Sequence, residues 1–587
     1  MTTNCMNNSI IQAFIRGAER VSAWADLLDS INVFPVADGD TGRNMKISLS
    51  PLRDLGTDRE RTVHLLLINA RGNSGNIAAR FFSGFLSADS MEAIPAAAKL
   101  GRDRAWKAVH DPKQGTMLTV FDALVEALED VPIEPDGKFS AGIIARLERA
   151  VRSTPELLPR LKEAGVVDSG ALGMFIYFEG FFKSLSCDAK DFRPITSIFS
   201  DQLRIASSFT TKNEEGYCID ITIDTGKHKG ETLEMLSELG ESVVIIPGDD
   251  YVKVHLHTDD AEVVRKRMES VGSIIRWSDD DLGEQVREFR FQKSRQAIHV
   301  MTDAAGSVTR DDARRLGLTL LDSYITVEDF AAPETCIKPA DIYVSMRRGA
   351  RVSTSQASEF ERHELYRSVM SQHPRVLYIC VGSAFTGNYD VAMVWKSKYD
   401  PENNMAVIDT GAASGRLGVI AIAVAQFSNS SNDADAVIEY ARRTVERCEE
   451  YIFIDNLKFL AAGGRISRTK AFFGNMLNVK PVVTPTAEGV VQAGTAKSLD
   501  DQVSFALEKL AATCPPGSRP FVMLQYTDNR SIVENTVMPE IERRFPHAEI
   551  KFQPLSLTTG VHVGPGTWSL AFLPEMAPAP PNPPKGG

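Results

Sequence analysis

The sequence predicts a multidomain protein with an all-α N-terminal region, a small α+β middle unit and a C-terminal α/β region. Apolar residues recur at helical spacing over residues 1–195, strand-like runs first appear over residues 196–290, and strands alternate with helices from residue 296 onward. The chain has 587 residues. That length accommodates roughly three to five domains of ordinary size.

The N-terminal region, residues 1–195, is predicted to be a helical bundle. Four runs carry apolar residues at helical spacing: Ile10–Leu28, Thr62–Leu86, Thr116–Leu128 and Gly170–Leu185. Polar turns that contain glycine separate these runs. This pattern favours a bundle whose ligand-binding residues lie on the loops.

The middle unit, residues 196–290, mixes short strands with helices. The predicted strands are Tyr217–Ile223, Ser242–Ile246 and Tyr251–His257, and the predicted helices are Glu231–Leu239 and Ala261–Val271. The polar segment Glu284–Arg295 is predicted to be a linker. Together these elements indicate a small α+β domain.

The C-terminal region, residues 296–575, is predicted to form α/β layers. Its strand candidates are Ala297–Met301, Arg375–Val381, Met405–Ile408 and Phe521–Gln525, with helices such as Ala436–Arg447 between them. Residues 576–587 are rich in proline and are predicted to be disordered.

Composition narrows the classes of function. The net charge of −12 gives no electrostatic reason to expect binding to nucleic acid or to an anionic membrane. Seven dispersed cysteines favour a reducing compartment over a disulfide framework. Because no apolar run approaches the ~18–20 residues of a membrane span, we expect a cytoplasmic protein that does not span a membrane.

The densest chemical signal is an acidic loop over residues 32–45. Asp38 and Asp40 are one residue apart, and glycines at 39 and 42 allow the backbone to turn tightly enough for both carboxylates to converge. Converging carboxylates repel each other unless a cation joins them, and hard oxygen ligands favour Mg²⁺. The alternative is an ordinary polar turn.

Three later loops carry small and hydroxyl residues next to helical runs. They cover residues 71–75, 115–119 and 165–173. Helix N-termini of this kind expose backbone N–H groups that bind phosphate, although ordinary helix caps have the same composition.

Taken together, the strings at 32–45, 70–75 and 165–170 resemble the L-type subunit of dihydroxyacetone kinase and, more closely, the ATP-binding subunit of bacterial fatty acid kinase. The resemblance covers about residues 5–195 and implies a helical barrel with ATP at one end. It implies Asp38 and Asp40 as metal ligands with Asn32 as a third, and Thr41 among the catalytic residues. The residues that it places around the nucleotide are Thr41, Asn44, Asn73, Ser74, Gly75, Thr116 and Asp168.

Two positions depart from the family pattern without removing a metal ligand. Ala37 replaces the usual proline, and Arg43 replaces a small residue. Arg43 would either contact a phosphate or remain an ordinary surface arginine.

The middle unit also matches the ATP-binding protein of fatty acid kinase, at residues 216–218 and 252–257. His255 and His257 alternate on one predicted strand and therefore point to the same face. With Cys218 on a neighbouring strand they would form a Cys-His-His zinc set with an open fourth position. The alternative is a buried thiol beside two packed histidines.

Residues 296–575 resemble the DegV family, the fatty-acid-binding partner of the same kinase. Six strings carry the resemblance, at 299–303, 353–358, 382–387, 407–410, 463–467 and 561–566. By the family pattern, the hydroxyls of Thr354, Ser355 and Ser383 and the ring of His562 hold the lipid carboxylate. Arg465 either joins this site or fixes its own glycine-rich loop.

One string departs from the DegV pattern. The family has a serine directly after the aspartate, whereas this chain has Ala304 after Asp303, which puts part of the head-group site in question. Asp303 is expected to be a structural anchor.

The resemblances imply a fusion of kinase and lipid carrier in one chain. Its ligands would be ATP, Mg²⁺ and a fatty acid, with zinc in the middle unit, and its product an acyl phosphate. The sequence leaves open homo-oligomerisation and the acceptor that uses the acyl phosphate. The alternatives are a dihydroxyacetone-type kinase of small polyols, a lipid-binding module with an inactive kinase half, and a regulatory protein that senses ATP or lipid.

Overall fold

The computed structural model describes residues 3–131, 139–186, 192–210, 215–224, 239–248, 250–290, 296–328, 330–462 and 479–576. The chain divides into two compact units, Met1–Phe291 and Gln292–Gly587, and each is described by itself. The predicted helix over 231–238, the predicted arginine site at 465 and the tail beyond 576 lie outside the described residues.

The N-terminal unit begins with a helical region. Its α-helices are α1 Thr3–Ala23, α2 Ala25–Ser30, α3 Thr41–Ser48, α4 Arg59–Asn69, α5 Gly72–Phe85, α6 Ile94–Ala108, α7 Met117–Asp130, α8 Phe139–Arg152, α9 Thr154–Leu157, α10 Pro159–Ala164, α11 Ser169–Leu185 and α12 Ile195–Ile198.

Aromatic rings fill the centre of this helical region. Phe81, Phe85, Phe121 and Phe178 are buried, and the rings of Phe81 and Phe121 stack with centroids 4.1 Å apart. These side chains come from α5, α7 and α11, so the apolar stripes of the three helices meet in one core. The predicted helical architecture of this region is confirmed.

In the second part of the N-terminal unit, the described residues form an antiparallel sheet with two helices. Its elements are β1 Tyr217–Asp224, β2 Glu241–Pro247, β3 Tyr251–Thr258, α13 Ala261–Glu269, β4 Ser273–Asp281 and α14 Leu282–Arg290. The strands are arranged in the order β2-β3-β1-β4. The sequence predicts β1, β2, β3 and α13 within two residues of these bounds.

The predicted linker over 284–295 is wrong over residues 284–290, because these residues belong to α14. Leu282 and Val286, one helical turn apart, are buried, and α14 packs on β1 and β4. Sequence reasoning also missed β4, an edge strand whose many acidic and serine residues obscure the apolar signal of Ile274 and Trp277.

The two faces of this sheet differ in chemistry, although both are largely buried. On one face, β1 and β3 bury apolar residues against Val264 and Met268 of α13. The opposite face, here called the polar face, carries Cys218, Asp220, Thr222, Lys253, His255 and His257. Since Lys253 hydrogen-bonds to Ala70 between α4 and α5, and Asp220 to the first residue of α5, the polar face packs on the helical region.

Over its described residues, the C-terminal unit contains three sheets. Its strands are β5 His299–Asp303, β6 Leu318–Leu321, β7 Ser323–Val327, β8 Phe330–Pro333, β9 Val352–Gln356, β10 Val376–Cys380, β11 Met405–Asp409, β12 Glu449–Phe453, β13 Lys480–Thr486, β14 Gly489–Ala496, β15 Phe521–Tyr526, β16 Glu549–Pro554 and β17 Trp568–Leu573. A parallel sheet has the order β11-β10-β5-β6, a mixed sheet the order β14-β13-β12-β17-β15-β16, and an antiparallel sheet the order β8-β7-β9.

Helices cover and separate these sheets. They are α15 Arg310–Leu316, α16 Pro339–Arg347, α17 Glu359–Gln372, α18 Asn388–Tyr399, α19 Ser414–Ser430, α20 Ala434–Arg447, α21 Lys458–Ala462, α22 Leu499–Thr513, α23 Arg530–Ile532, α24 Met538–Arg544 and α25 Leu557–Val563. The apolar helix α19 contacts strands of both the parallel and the mixed sheet, and its side chains join one continuous core. The predicted α/β class of this region is confirmed.

Candidate functional site

The acidic loop lies between α2 and α3. Asp38 and Asp40 are both buried, and Asp40 directly precedes the first residue of α3. Burial, followed by the charge of Asp40, raises the pKa of Asp38 well above its usual value. Arg43 lies 3.8 Å from the Asp40 carboxylate. Its positive charge acts to lower the pKa of Asp38, but by less than burial and Asp40 raise it. The two carboxylates therefore converge as expected, and a bound divalent cation would offset their mutual repulsion.

Two glycines shape this loop. Gly39 has φ +64°, a left-handed conformation that costs other residues free energy, and a Cβ there would lie 2.6 Å from the ring of Phe289 in α14. A Cβ on Gly42 would lie 1.9 Å from the carbonyl oxygen of Ala25, so glycine allows α3 to approach α2. Asp29 at the end of α2 accepts the N–H groups of Gly42 and Arg43.

Asn32 connects the acidic loop to neighbouring helices. Its amide Nδ2 donates to Asp38, and its Oδ1 accepts from Thr41 Oγ1 at 2.9 Å and from Ser169 Oγ at 3.1 Å. Thr41 Oγ1 also lies 3.2 Å from Ser74 Oγ. In this arrangement Asn32 orients Asp38, while its role as a metal ligand stays a prediction.

A cavity of about 570 Å³ adjoins this network at Ser74. Its lining includes Asn73, Ser74, Thr116 and Asp168, four of the residues predicted to surround a nucleotide. Thr116 caps α7, and Asp168 caps α11 by accepting the N–H of Ala171 at 2.7 Å. Burial raises the pKa of Asp168 to about 7. The helix N-termini anticipated from the sequence thus open toward one cavity.

Three further residues predicted to surround the nucleotide, Thr41, Asn44 and Gly75, lie outside the lining of this cavity. A Cβ on Gly75 would lie 2.1 Å from Ser48 Oγ, and a Cβ on Gly72 would lie 2.1 Å from Asn44 Nδ2. The glycines at 72 and 75 therefore allow α3 to pack closely against α5. Direct contact of Thr41, Asn44 and Gly75 with nucleotide stays a prediction.

Sequence reasoning missed part of the cavity wall. Lys113 lies in the loop before α7, and residues 240–243 come from the middle sheet. The backbone N–H of His110 donates to the carbonyl of Val243 at 3.1 Å, so β2 is joined to this loop. No motif signals this wall, because it depends on pairing between segments far apart in sequence.

The three predicted zinc ligands come together on the polar face. The antiparallel register places Cys218 opposite His257, with His255 two residues away on the same strand. One ligand atom from each side chain, sulfur or ring nitrogen, lies within 4.8 Å of the others. Among the described residues, His255 Nε2 is buried and has no hydrogen-bond partner. An N₂S donor set with an unsatisfied buried nitrogen fits zinc.

Protonation in this cluster reflects its burial. Burial lowers the pKa of His257 to about 3, and the charge of His255 acts in the same direction, so the ring is neutral as a metal ligand requires. Burial and the charges of Asp40 and Asp220 raise the pKa of the Cys218 thiol. A metal ion would therefore displace a proton from Cys218 on binding.

Asp220 and Lys253 connect the polar face to the start of α5 and to the residue that follows α4. Asp220 accepts from Gly72 N and Asn76 Nδ2, each at 3.0 Å, and lies 3.3 Å from His255 Nδ1. Burial acts to raise the pKa of Asp220, but His255 and Lys253 together hold it below its usual value. Lys253 donates to the carbonyl of Ala70, and burial lowers its pKa to about 7.

In the C-terminal unit, two of the predicted head-group residues meet directly. Thr354 Oγ1 on β9 lies 3.1 Å from His562 Nε2 on α25. Ser355 is the next residue along β9, so its side chain points to the opposite face of the strand and away from this pair. Ser383 is exposed after β10, where its N–H donates to Asp409. The lipid-binding roles of these four residues stay predictions.

Asp303 has the structural role that the sequence suggests. Its buried carboxylate accepts from Tyr378 Oη at 2.8 Å, Asn388 Nδ2 at 2.7 Å and Val381 N at 2.6 Å. Burial raises its pKa to about 6, while these donors act to lower it. The carboxylate therefore ties β5 to the end of β10 and to α18.

Three family models match successive parts of the chain. Residues 35–183 match the DAK2 domain, residues 214–289 match the FakA-like middle domain of fatty acid kinase, and residues 297–575 match the DegV family of uncharacterised proteins.

Curated relatives of this chain include uncharacterised proteins of staphylococci. The chain is 34% identical over 304 residues to an uncharacterised protein of Staphylococcus saprophyticus, covering 47% of this chain and 55% of that protein. It is 34% identical over 301 residues to one of Staphylococcus haemolyticus, covering 47% of this chain and 54% of that protein. The chain thus spans about half the length of these relatives.

Solved structures resemble about half of this chain. A fatty-acid-binding DegV family protein from Thermus thermophilus has 24% identity and a TM-score of 0.43, covering 48% of this chain and 99% of its own. DegV of Bacillus subtilis, a fatty acid binding protein, has 19% identity and a TM-score of 0.44 with the same coverage.

Within the described part of the chain, no helix is both long and apolar enough to cross a membrane. The matched segments follow one another without overlap. The chain therefore combines a DAK2 domain, a FakA-like middle domain and a DegV domain, in that order from the N-terminus.

Proposed function

We propose that this protein is an ATP- and Mg²⁺-dependent kinase that phosphorylates the carboxylate of a fatty acid bound by its DegV domain. The observation that carries the proposal is the pair of buried carboxylates, Asp38 and Asp40, adjoining a cavity of about 570 Å³. The match to the FakA-like middle domain of fatty acid kinase favours a fatty acid over other acceptors.

The cavity has the chemistry that a nucleoside triphosphate needs. Phe34, Ile77 and Met117 offer apolar surface for a base. Ser74 and the N-terminus of α7 behind Thr116 offer hydroxyl and N–H donors for phosphate oxygens. A volume of several hundred Å³ is ordinary for a cofactor site.

Asp38 and Asp40 would hold magnesium beside this cavity. Bound there, the ion supplies charge neutralisation for the phosphates of the nucleotide. Asn32 keeps Asp38 in position, and Thr41 connects Asn32 to Ser74 at the cavity edge. A mutually repelling, buried carboxylate pair supports this assignment better than an ordinary polar turn does.

Zinc would be held by Cys218, His255 and His257. Asp220 lies 3.3 Å from His255 Nδ1 and would orient that ring when a metal is bound, as carboxylates beside metal-binding histidines commonly do. The buried, unsatisfied His255 Nε2 supports a metal site over simple packing.

The DegV domain would bind the fatty acid through its carboxylate. Thr354 and His562, in contact at 3.1 Å, are the donors that the geometry favours, with Ser383 as a further hydroxyl, whereas Ser355 lies on the opposite face of β9. A buried carboxylate needs such hydrogen bonds because desolvation costs several kcal/mol.

The reaction needs little proton chemistry. A fatty-acid carboxylate, with a pKa near ~4–5, is already ionised at neutral pH. One of its oxygens forms a bond to the γ-phosphorus while the bond from that phosphorus to the β–γ bridging oxygen breaks, and ADP leaves. The protein contributes by positioning the reactants and by placing donors around the phosphates.

A chemical trap tests this function. Wild-type protein incubated with ATP, Mg²⁺, a long-chain fatty acid and hydroxylamine should yield acyl hydroxamate, because hydroxylamine intercepts acyl phosphate. Replacing the fatty acid with dihydroxyacetone should give no phosphorylated product. Phosphorylation of the small polyol without hydroxamate would favour the dihydroxyacetone-type alternative and remove the proposed one.

A further inference from the structure

The segment Ala70–Gly75 contributes to the nucleotide cavity and is hydrogen-bonded to the middle sheet. It comprises the connection between α4 and α5 and the first turn of α5, and it presents Asn73 and Ser74 to the cavity. Lys253 Nζ donates to the carbonyl of Ala70 at its beginning, and Asp220 accepts the N–H of Gly72 at its centre. The middle sheet therefore hydrogen-bonds both to a backbone carbonyl and to a backbone N–H of this segment.

Asp220 makes these contacts with two different oxygens. Oδ2 accepts from Gly72 N at 3.0 Å, and Oδ1 accepts from Asn76 Nδ2 at 3.0 Å. Oδ1 also lies 3.3 Å from His255 Nδ1. One carboxylate thus contacts a proposed zinc ligand on one side and, on the other, the two residues that flank Asn73–Gly75.

We propose that Asp220 is a positioning residue that couples the Cys218–His255–His257 metal site to the nucleotide cavity. A metal ion on the cluster fixes the His255 ring, the ring fixes Asp220, and Asp220 holds Gly72 and Asn76 so that Asn73 and Ser74 face the nucleotide. Zinc and nucleotide therefore bind with positive cooperativity. This inference rests on the proposed function, because it requires both the metal and the nucleotide to bind.

Thermodynamic linkage makes the coupling measurable from either side. If zinc tightens nucleotide binding by some factor, nucleotide must tighten zinc binding by the same factor. Couplings of this kind commonly amount to about 5-fold to 150-fold in affinity. Substituting a residue that only stabilises the fold would leave this coupling factor unchanged.

The test uses full-length protein, a non-hydrolysable ATP analogue with Mg²⁺, and zinc as the metal. Nucleotide affinity is measured by calorimetry for zinc-free and zinc-loaded protein, and zinc affinity with and without the analogue. We expect zinc to tighten analogue binding in the wild type at least about 5-fold. Cys218→Ser should abolish this effect, which excludes zinc bound at Asp38 and Asp40 as its source.

Two variants separate the two sides of Asp220. Asp220→Asn should weaken zinc binding about 10-fold to 100-fold and bring the coupling factor close to 1. Asn76→Leu removes one contact on the cavity side, so it should reduce the coupling with zinc affinity in the absence of nucleotide unchanged. Asp224→Asn, an exposed position on the same strand, is the matched control and should retain the full coupling.

The outcomes distinguish this inference from the proposed function. Binding of both ligands to the wild type without coupling would overturn the role of Asp220 and leave the kinase proposal standing. Full coupling in folded Asp220→Asn or Asn76→Leu protein would also overturn it. Failure of the wild type to bind either zinc or the analogue would remove the corresponding site, and this inference with it.

Discussion

At the residue scale, the acidic loop brings together two carboxylates that repel each other. Asp38→Asn removes one charge at nearly constant shape. We expect hydroxamate formation to fall at least about 100-fold, the usual effect of removing one group that stabilises charge in a transition state. Because burial and Asp40 raise the pKa of Asp38, metal-free Asp38→Asn protein should unfold at the same temperature as the wild type or higher.

The matched control for this variant is Asp26→Asn, an exposed carboxylate on the adjacent helix α2. Its hydroxamate rate should equal that of the wild type. Equal rates in wild type and Asp38→Asn would contradict the assignment of magnesium to this loop.

The contact between Thr354 and His562 gives a second prediction at this scale. His562→Ala removes a donor that a carboxylate would use, and a charge-assisted hydrogen bond contributes about 1.5–3 kcal/mol. We therefore expect fatty-acid affinity to fall by roughly one to two decades with nucleotide affinity unchanged. Ser397→Ala, an exposed hydroxyl on α18, is the control. Undiminished lipid binding by His562→Ala would place the carboxylate elsewhere.

At the scale of elements, the acidic loop is enclosed by α2, α3 and α14. Gly39→Ala should disturb this enclosure, since its φ of +64° costs alanine about 1–2 kcal/mol and the new methyl would lie 2.6 Å from the Phe289 ring. We expect a lower unfolding temperature and a higher Mg²⁺ requirement for nucleotide binding. Combining it with Phe289→Ala should relieve the steric part of this defect.

Gly56→Ala serves as the control, because a Cβ at that glycine would meet nothing within 4 Å. If Gly39→Ala matched Gly56→Ala in stability and in Mg²⁺ requirement, the enclosure by α14 would have no role in the site.

The elements also show what the sequence can and cannot predict. The zinc set is predictable because alternation along β3 fixes the shared face of His255 and His257, and only the neighbouring strand had to be assumed. The contact of Asp220 with Gly72 is not predictable in this way, because 148 residues separate them and the pairing depends on how the sheet packs on α5. Helix α14 was missed because its polar composition hides two buried residues one turn apart.

At the scale of the whole molecule, the order of DAK2, middle and DegV domains follows from the sequence strings and is supported by the family models. The structure adds that the first two form one compact unit. The polar face of the middle sheet explains this: its charged residues and the Cys218–His255–His257 cluster are buried because the helical region packs on them, with hydrogen bonds to Asp220 and Lys253. Sequence alternation alone would have left that face in solvent.

The central claim is that a bond forms between a fatty-acid oxygen and the γ-phosphorus of ATP. It is tested most directly with a fatty acid whose carboxylate oxygens are both ¹⁸O, incubated with protein, ATP, Mg²⁺ and hydroxylamine. Hydroxylamine attacks the acyl carbon, so the released phosphate retains the bridging oxygen. We predict one ¹⁸O atom in the phosphate for each acyl hydroxamate formed, as measured by mass spectrometry. Phosphate released without ¹⁸O would mean that water, and not the lipid, accepts the phosphoryl group, and would contradict the account.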